Sequence, residues 1–335
     1  MTTWLGLAAM LLLILIAAEV FTNAVEHLGE RLGISEGMTG SVFAAIGTAM
    51  PESIIPLVAI LAGTEDARVN VEIGVGAILG APLMLSTVTL CMMALSVLGH
   101  RGLKGSLRPE RNGLHRDIHF FLVAFGISLA AFALPAGSPA VRVAVAVGLL
   151  FVYFLYVLLT MRVSAQLVAD GHGTQAHKEM LLCRLGLPDT RVVLALQLLA
   201  GLVLLVAAAK GMVHGVSSVS AKFGFSPLLF SMLVIPIATE LPESVNSVLW
   251  IRRGKDTLAF GNITGAMVLQ GSLLPAVGIS LTPWQPNAAV LTGASLTYLA
   301  ALWMAFLAHH GKLNVWHLLV NGGMYAAYLI FVLVL

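Results

Sequence analysis

Two glutamates lie inside strongly apolar stretches of the chain, and each directly follows a proline. The first belongs to the segment GTAMPES and the second to the segment ATELPES. In each segment a threonine precedes the glutamate by four residues, so Thr48 shares a helix face with Glu52, and Thr239 with Glu243. Hard cations such as Ca²⁺ prefer carboxylate, hydroxyl and carbonyl oxygens. The two segments therefore predict a cation site.

Proline and glycine in the same segments predict interrupted helices. A proline removes one backbone hydrogen bond and clashes with the carbonyl group one turn earlier, and in lipid the freed carbonyl needs another partner. We expect Gly47 and Pro51 to interrupt the first segment, and Pro236 and Pro242 to interrupt the second. The released carbonyl groups are further candidate ligands, above all those of Ala45 and Pro236.

The composition places these segments in a membrane. Of 335 residues, 59% are hydrophobic and 10% are charged, whereas about a quarter of a soluble domain is charged. Such a chain needs the lipid bilayer as its solvent. Lys and Arg lie in short loops rather than in one basic patch, so no nucleic-acid partner is expected. Cys91 and Cys183 suit neither a disulfide framework nor a CxxC metal site, and no cofactor is expected.

Ten apolar runs reach the length of about 20 residues that a spanning helix needs. The runs are continuously apolar rather than alternating, which favours an all-α protein with ten transmembrane helices. Lys and Arg concentrate in alternate loops, which predicts that those loops are cytoplasmic and that both termini lie outside the plasma membrane, in bacteria the inner membrane. The predicted spans are 3–27, 37–62, 71–98, 118–135, 139–162, 192–220, 226–251, 257–281, 287–309 and 315–335.

The second half of the sequence repeats features of the first. One offset aligns RLGIS with KFGFS and also aligns the two proline–glutamate segments. Further along, GAILGA, with Gly76 and Gly80, resembles GNITGA, with Gly261, Asn262 and Gly265. Glycines four residues apart allow helices to approach closely. We expect these glycines to bring the third and eighth spans against the interrupted ones.

Each repeat contains five spans. Because five is odd, the second repeat enters the membrane from the opposite side, which is an inverted repeat of the kind common in secondary transporters. We predict repeats at 1–164 and 191–335, joined by a cytoplasmic linker at 165–190. Broken helices 2, 3, 7 and 8 are expected to surround a cation site at the membrane midplane.

At these residues the sequence resembles the calcium/cation antiporter superfamily, nearest to its sodium/calcium exchanger type. Each half of that family carries a motif close to GTSLPE, followed by one close to GNxxGSNIxN or GNxxGSNIxD. This chain has GTAMPE and GAILGAPLML, then ATELPE and GNITGAMVLQ, so it is identified as a divergent member. The resemblance implies that Thr48, Glu52, Thr239 and Glu243 bind Ca²⁺ and share oxygens with Na⁺.

The chain departs from the family at side chains that flank the implied Ca²⁺ ligands. Most oxygens that the resemblance implies for Na⁺ are missing, whereas Glu240 adds a carboxylate and Gln270 an amide. Three carboxylates and few hydroxyls suit a proton better than several sodium ions. The departures are Ala49, Ala81, Leu85, Glu240, Ala266 and Gln270.

These features favour a secondary active antiporter that exchanges Ca²⁺, or a related divalent cation, for H⁺ or Na⁺ by alternating access. One alternative is an antiporter of the same fold for Mn²⁺, Mg²⁺ or K⁺. Another is a channel or membrane protein in which the exchanger site has decayed. The sequence has no HExxH, no GxSxG and no cysteine–histidine constellation, so an enzyme is not expected.

Overall fold

The structure is a computed structural model that describes residues 2–31, 50–135, 138–169, 179–285, 287–311 and 313–334. Within these ranges the chain is helical and forms no strand, apart from an isolated bridge between Ser106 and Asn314. The prediction of an all-helical protein is thus confirmed for the described residues.

The helices are numbered in chain order. A π-helix at Leu85–Thr89 joins α3 to α4, and a 3-10 turn at Ala131–Ala133 follows α5. The α-helices are α1 Thr2–Arg31, α2 Met50–Ala62, α3 Ala67–Met84, α4 Leu90–Arg101, α5 Arg111–Ala130, α6 Pro139–Ala169, α7 Leu181–Arg184, α8 Arg191–Phe223, α9 Pro227–Thr239, α10 Leu241–Arg252, α11 Asp256–Leu281, α12 Ala288–His310 and α13 Val315–Val334.

Eight helical stretches of the described chain are long and apolar enough to cross a membrane, and α9 with α10 makes a ninth if the bent pair is one span. The predicted span 37–62 lies partly outside the described residues, which contain the short apolar helix α2 there. The count of ten spans therefore stays a prediction. The eight stretches are Trp4–Val25, Ala67–Arg101, Arg111–Ala133, Pro139–Arg162, Arg191–Phe223, Asp256–Leu281, Ala288–His310 and Val315–Val332.

The chain divides into two compact units. The first comprises residues 1–70 and 154–224, and the second comprises residues 71–153 and 225–335. In the first unit α1 packs along α8, and α2 also packs on α8. Gly201 of α8 lies so close to Phe21 that an added Cβ would collide with its backbone. This division follows packing, whereas the predicted repeats follow sequence similarity, so the repeat boundaries stay predictions.

The second unit is built around α5, α11, α12 and α13. Helix α5 packs on α11 and α12, while α4 and the π-helix pack on α13. Aromatic rings fill the space between these helices: Phe121, Phe125, Phe260, Trp284 and Tyr328 are all buried. The unit therefore holds α9 and α10 against a densely packed set of helices.

The seventh predicted span is interrupted close to its prolines. Helix α9 ends at Thr239, α10 begins at Leu241, and the two helices are bent by 43° relative to each other. Pro242 lies in the first turn of α10, where a missing backbone N–H leaves no helical bond unmade. Pro236 lies inside α9, which continues past it.

The eighth predicted span is not interrupted. Helix α11 runs unbroken from Asp256 to Leu281 although it contains Pro275. The proline deprives the Gly271 carbonyl of its helical donor. The Ser128 hydroxyl of α5 lies 3.2 Å from that oxygen and 3.0 Å from the Ala124 carbonyl, so the two carbonyls share its one proton. The predicted break in helix 8 is therefore wrong, since the helix continues past the proline and a neighbouring helix offers a hydroxyl to the freed carbonyl.

The third predicted span is also continuous. It runs from Ala67 to Arg101 and contains Pro82, and its irregularity is the π-helix rather than a break. The prediction of a broken helix 3 is wrong in that respect. For the second span, Gly47 lies outside the described residues, and Pro51 stands in the first turn of α2.

Candidate cation site

Glu240 stands at the junction of α9 and α10. Its backbone, with φ −91° and ψ −3°, ends the first helix, and its amide donates to the Pro236 carbonyl at 2.8 Å. These angles lie in the sparsely populated bridge region, where many active-site residues are found. The side chain is 0% exposed. The helix break thus presents a buried carboxylate between two apolar helices.

Two neighbours donate to one oxygen of this carboxylate. Gln270 Nε2 of α11 donates to Glu240 Oε1 at 2.9 Å, and the Thr239 hydroxyl donates to the same atom at 3.3 Å. Glu240 Oε2 and Gln270 Oε1 are buried and accept no hydrogen bond from the described residues. The structure therefore brings together three of the predicted ligands and leaves two of their oxygens open.

Glu243 lies in the first turn of α10 and is 3% exposed. Its Oε2 is buried and accepts no hydrogen bond within the described part of the chain, and it follows the buried Glu240 by three residues. The positive end of the α10 helix dipole favours a carboxylate at this position. Two buried carboxylates nonetheless repel each other and call for a compensating cation or proton.

Asn262 of α11 is hydrogen-bonded to α10, the helix that carries Glu243. Its amide nitrogen lies 3.1 Å from the Glu243 carbonyl oxygen and 3.0 Å from Ser247 Oγ. Because the amide can donate two hydrogen bonds, it fixes the first turns of α10 against α11. Asn262 of the repeated GNITGA motif thus holds the backbone beside a predicted ligand.

The sequence interpretation missed a hydroxyl pair next to these carboxylates. Thr89 Oγ1 of the π-helix lies 2.7 Å from Ser244 Oγ, and both residues are fully buried. Ser244 directly follows Glu243. A signal was present, since Ser86, Thr87 and Thr89 form a polar group inside an apolar run, but spacing along the chain does not show which distant hydroxyl they meet.

The glycines of the third span lie directly against α9. A Cβ added to Gly76 would meet Ser231 Oγ and the Leu228 carbonyl oxygen. A Cβ added to Gly80 would meet the Met232 carbonyl oxygen and the Pro236 ring. Met232 is four residues before Pro236, so its carbonyl is the group that this proline releases.

The glycines of the eighth span lie elsewhere. Gly261 of α11 is exposed, and a Cβ added there would meet no atom of the described residues within 4 Å. Gly265 is half-buried in the same helix.

In the first unit, Glu52 is buried in the first turn of α2. Thr48 and Ala45 lie outside the described residues.

The sequence of the whole chain is similar to that of a known protein family. The family model described as sodium/calcium exchanger protein matches residues 2–162 and 193–334. The chain belongs to the sodium/calcium exchanger family. The resemblance recognised in the two proline–glutamate motifs is confirmed by this match.

Two curated relatives are each 25% identical to this exchanger over most of its length. The putative antiporter CaxA of Alkalimonas amylolytica is 25% identical over 293 residues, which cover 87% of this chain and 84% of the relative. The inner membrane protein YrbG of Escherichia coli (strain K12) is 25% identical over 273 residues, which cover 82% of this chain and 78% of the relative.

A solved structure shares the fold of the exchanger. The crystal structure of the H⁺/Ca²⁺ exchanger CAX matches it with a TM-score of 0.71 at 15% identity, covering 99% of this chain and 82% of that one. Together with the apolar helices, these matches identify a multi-pass membrane antiporter that exchanges cations. The family description names sodium, whereas the structural relative is described as an H⁺/Ca²⁺ exchanger. Fold and family together therefore do not determine the counter-ion, which depends on the side chains of the site.

Proposed function

We propose that this exchanger moves Ca²⁺, or a related divalent cation, across the membrane in exchange for H⁺ or Na⁺ by alternating access. The observation that carries the proposal is the burial of Glu240 and Glu243 at one helix break. Two buried carboxylates are very unfavourable unless cations or protons neutralise them. One divalent cation matches their charge, and Ca²⁺ prefers oxygen ligands of this kind.

Each proposed ligand has a distinct role. Glu240 and Glu243 supply the negative charge through their open Oε2 atoms. Thr239 and the amide oxygen of Gln270 supply neutral oxygens, which suit a cation that binds six to eight oxygen ligands. Glu52 of the first motif is the counterpart of Glu243 in the proposed repeat and is required for transport. Thr48 and the carbonyl groups of Ala45 and Pro236 complete the proposed set of ligands.

We further propose the proton as the preferred counter-ion. A carboxylate can bind either a metal cation or a proton, whereas an alanine side chain binds neither. The chain has Ala81 and Ala266 at positions where the family pattern has serine, and it has Glu240 where that pattern has a hydroxyl. Loss of hydroxyl ligands with gain of a carboxylate favours competition between the divalent cation and protons for the same oxygens.

The proposed topology has ten spans in two inverted five-helix repeats, at 1–164 and 191–335. Both termini then lie outside, and the linker at 165–190 lies in the cytoplasm, as the distribution of Lys and Arg favours. The bacterial relative described as an inner membrane protein supports placement in the plasma membrane.

Transport of ⁴⁵Ca²⁺ into vesicles that contain the purified protein tests the proposal. With membrane voltage clamped, we expect an imposed proton gradient to drive uptake, and unlabelled Ca²⁺ to compete better than Mg²⁺. Absence of uptake under both proton and sodium gradients would contradict the exchanger function. Uptake driven by sodium alone at clamped pH would contradict the proton preference but not the exchange of Ca²⁺.

Matched variants test the site in the same vesicles. We expect Glu243→Gln and Glu240→Gln each to lower Ca²⁺ uptake by at least about tenfold, because each removes a charged ligand. Glu65→Gln is the control, since Glu65 is exposed and lies outside the spanning helices. Equal uptake by all three variants would disprove the assignment of the site.

A further inference from the structure

The third span contains a π-helix whose hydrogen bonding departs from that of its surroundings. In a regular α-helix the Leu90 amide would donate to the Ser86 carbonyl. Here the Leu90 amide donates to the Thr87 carbonyl instead. Single π-turns inside α-helices are rare and occur frequently at functional sites. The Ser86 carbonyl is fully buried and has lost the Leu90 amide, so a side-chain donor would stabilise the π form.

Asn321 of α13 provides that donor. Its Nδ2 donates to the Ser86 carbonyl oxygen at 2.8 Å, and the residue is 0% exposed. Its Oδ1 accepts no hydrogen bond from the described residues, so the amide is only partly satisfied. The next residue, Gly322, lies against Cys91, where an added Cβ would collide with the sulfur. This glycine lets α13 come close enough for the bond.

The π-helix in turn sets the direction of Thr89. A π-turn acts as one extra residue in the helix, so it rotates every later residue by about 100° relative to a regular α-helix. In that rotated position Thr89 Oγ1 lies 2.7 Å from Ser244 Oγ. Ser244 is the residue after Glu243 on α10. A regular third span would turn Thr89 away from this contact.

We propose that Asn321 is a positioning residue for the cation site and acts through the π-helix. Its amide holds Leu85–Thr89 in the π form, and this form keeps Thr89 hydrogen-bonded to Ser244 beside Glu243. Without the amide, the Leu90 N–H takes the Ser86 carbonyl, the segment becomes a regular α-helix, and α10 loses a contact next to its ligand. The inference rests on the proposed function for the role of Glu243, but the state of the π-helix can be measured without it.

Hydrogen–deuterium exchange of the full-length protein in detergent measures the π-helix directly. Asn321→Leu keeps the branched shape of the side chain and cannot donate. We expect the amides of residues 86–91 to exchange at least about threefold more slowly in this variant, because a regular helix replaces the poorer i→i−3 bond of Leu90 with an α-helical bond to Ser86. Unchanged or faster exchange would overturn the inference. This measurement does not depend on which cation the protein carries.

Uptake of ⁴⁵Ca²⁺ tests the link from the π-helix to the site. We expect Asn321→Leu and Thr89→Val each to raise the Ca²⁺ concentration for half-maximal uptake by about three- to tenfold. The double variant should show no further rise, because both changes remove the same contact. Additive effects, or a lower maximal rate at unchanged half-saturation, would overturn the inference.

Thr297→Val is the matched control. Its hydroxyl is fully buried in the same unit but donates to Gly293 of its own helix at 2.9 Å, so half-saturation should stay at the wild-type value. If the wild-type protein takes up no Ca²⁺, the proposed function fails. The hydrogen–deuterium exchange measurement still decides whether Asn321 holds the π-helix.

Discussion

Gln270 donates its side-chain amide to one oxygen of Glu240 at 2.9 Å, and the other carboxylate oxygen accepts no hydrogen bond from the described residues. The contact joins the middle of α11 to the break between α9 and α10. It orients the carboxylate and leaves its second oxygen open. The continuous helix α11 therefore orients a proposed ligand that lies at the break between α9 and α10.

Replacement of Gln270 by leucine tests this orientation. Gln270→Leu keeps a similar volume but removes the donor to Glu240 and one amide oxygen. We expect the apparent Kd for Ca²⁺ to rise about tenfold, the value for loss of a hydrogen bond to a charged group. Titration calorimetry of the purified variant measures it. Ser280→Ala, on the same helix but bonded to its own backbone at Ala276, should leave the Kd unchanged.

Binding of Ca²⁺ should release protons if the two ions compete for the same carboxylates. We expect the heat of Ca²⁺ binding to vary with the ionisation enthalpy of the buffer, since each released proton is taken up by the buffer. Glu240→Gln should reduce that dependence, because one proton-binding group is gone. A binding heat that is independent of the buffer but sensitive to Na⁺ would instead indicate sodium as the counter-ion.

The glycines of the two repeated motifs should differ in their tolerance of a methyl group. Gly80→Ala forces a Cβ against the Met232 carbonyl and the Pro236 ring, which should lower stability by about 1–3 kcal/mol. Gly261→Ala meets no atom of the described part of the chain and should raise stability by up to about 1 kcal/mol, since alanine is the better helix former. Thermal unfolding in detergent compares the two. Equal destabilisation would show that the packing of α3 on α9 has been misjudged.

The continuity of α11 should depend on one hydroxyl. Ser128→Ala removes the donor to the Gly271 carbonyl and should cost about 1–3 kcal/mol, the penalty for a buried acceptor without a partner. Pro275→Ala restores a backbone donor for that carbonyl. In the Pro275→Ala background, Ser128→Ala should therefore cost much less. Equal costs in both backgrounds, measured by thermal unfolding, would show that the serine does not compensate for the proline.

Features that depend on neighbours in the chain could be read from the sequence. Continuous apolar runs predict the spanning helices, and Pro242 marks the start of α10, because the missing N–H acts on its own turn. The paired motifs that contain Glu52 and Glu243 were sufficient to recognise the family. The same local reasoning failed at Pro275, since the carbonyl that this proline frees lies within reach of a serine on another helix.

The sequence by itself determined that the protein is an integral membrane protein of the exchanger family, with acidic residues beside helix-breaking prolines. These are properties of residue type and spacing. The tertiary structure decided which buried polar groups find partners: Gln270 with Glu240, Ser128 with Gly271, and Asn321 with Ser86. Each pair joins residues far apart in the chain, and in the membrane interior their hydrogen bonds depend on how the helices pack.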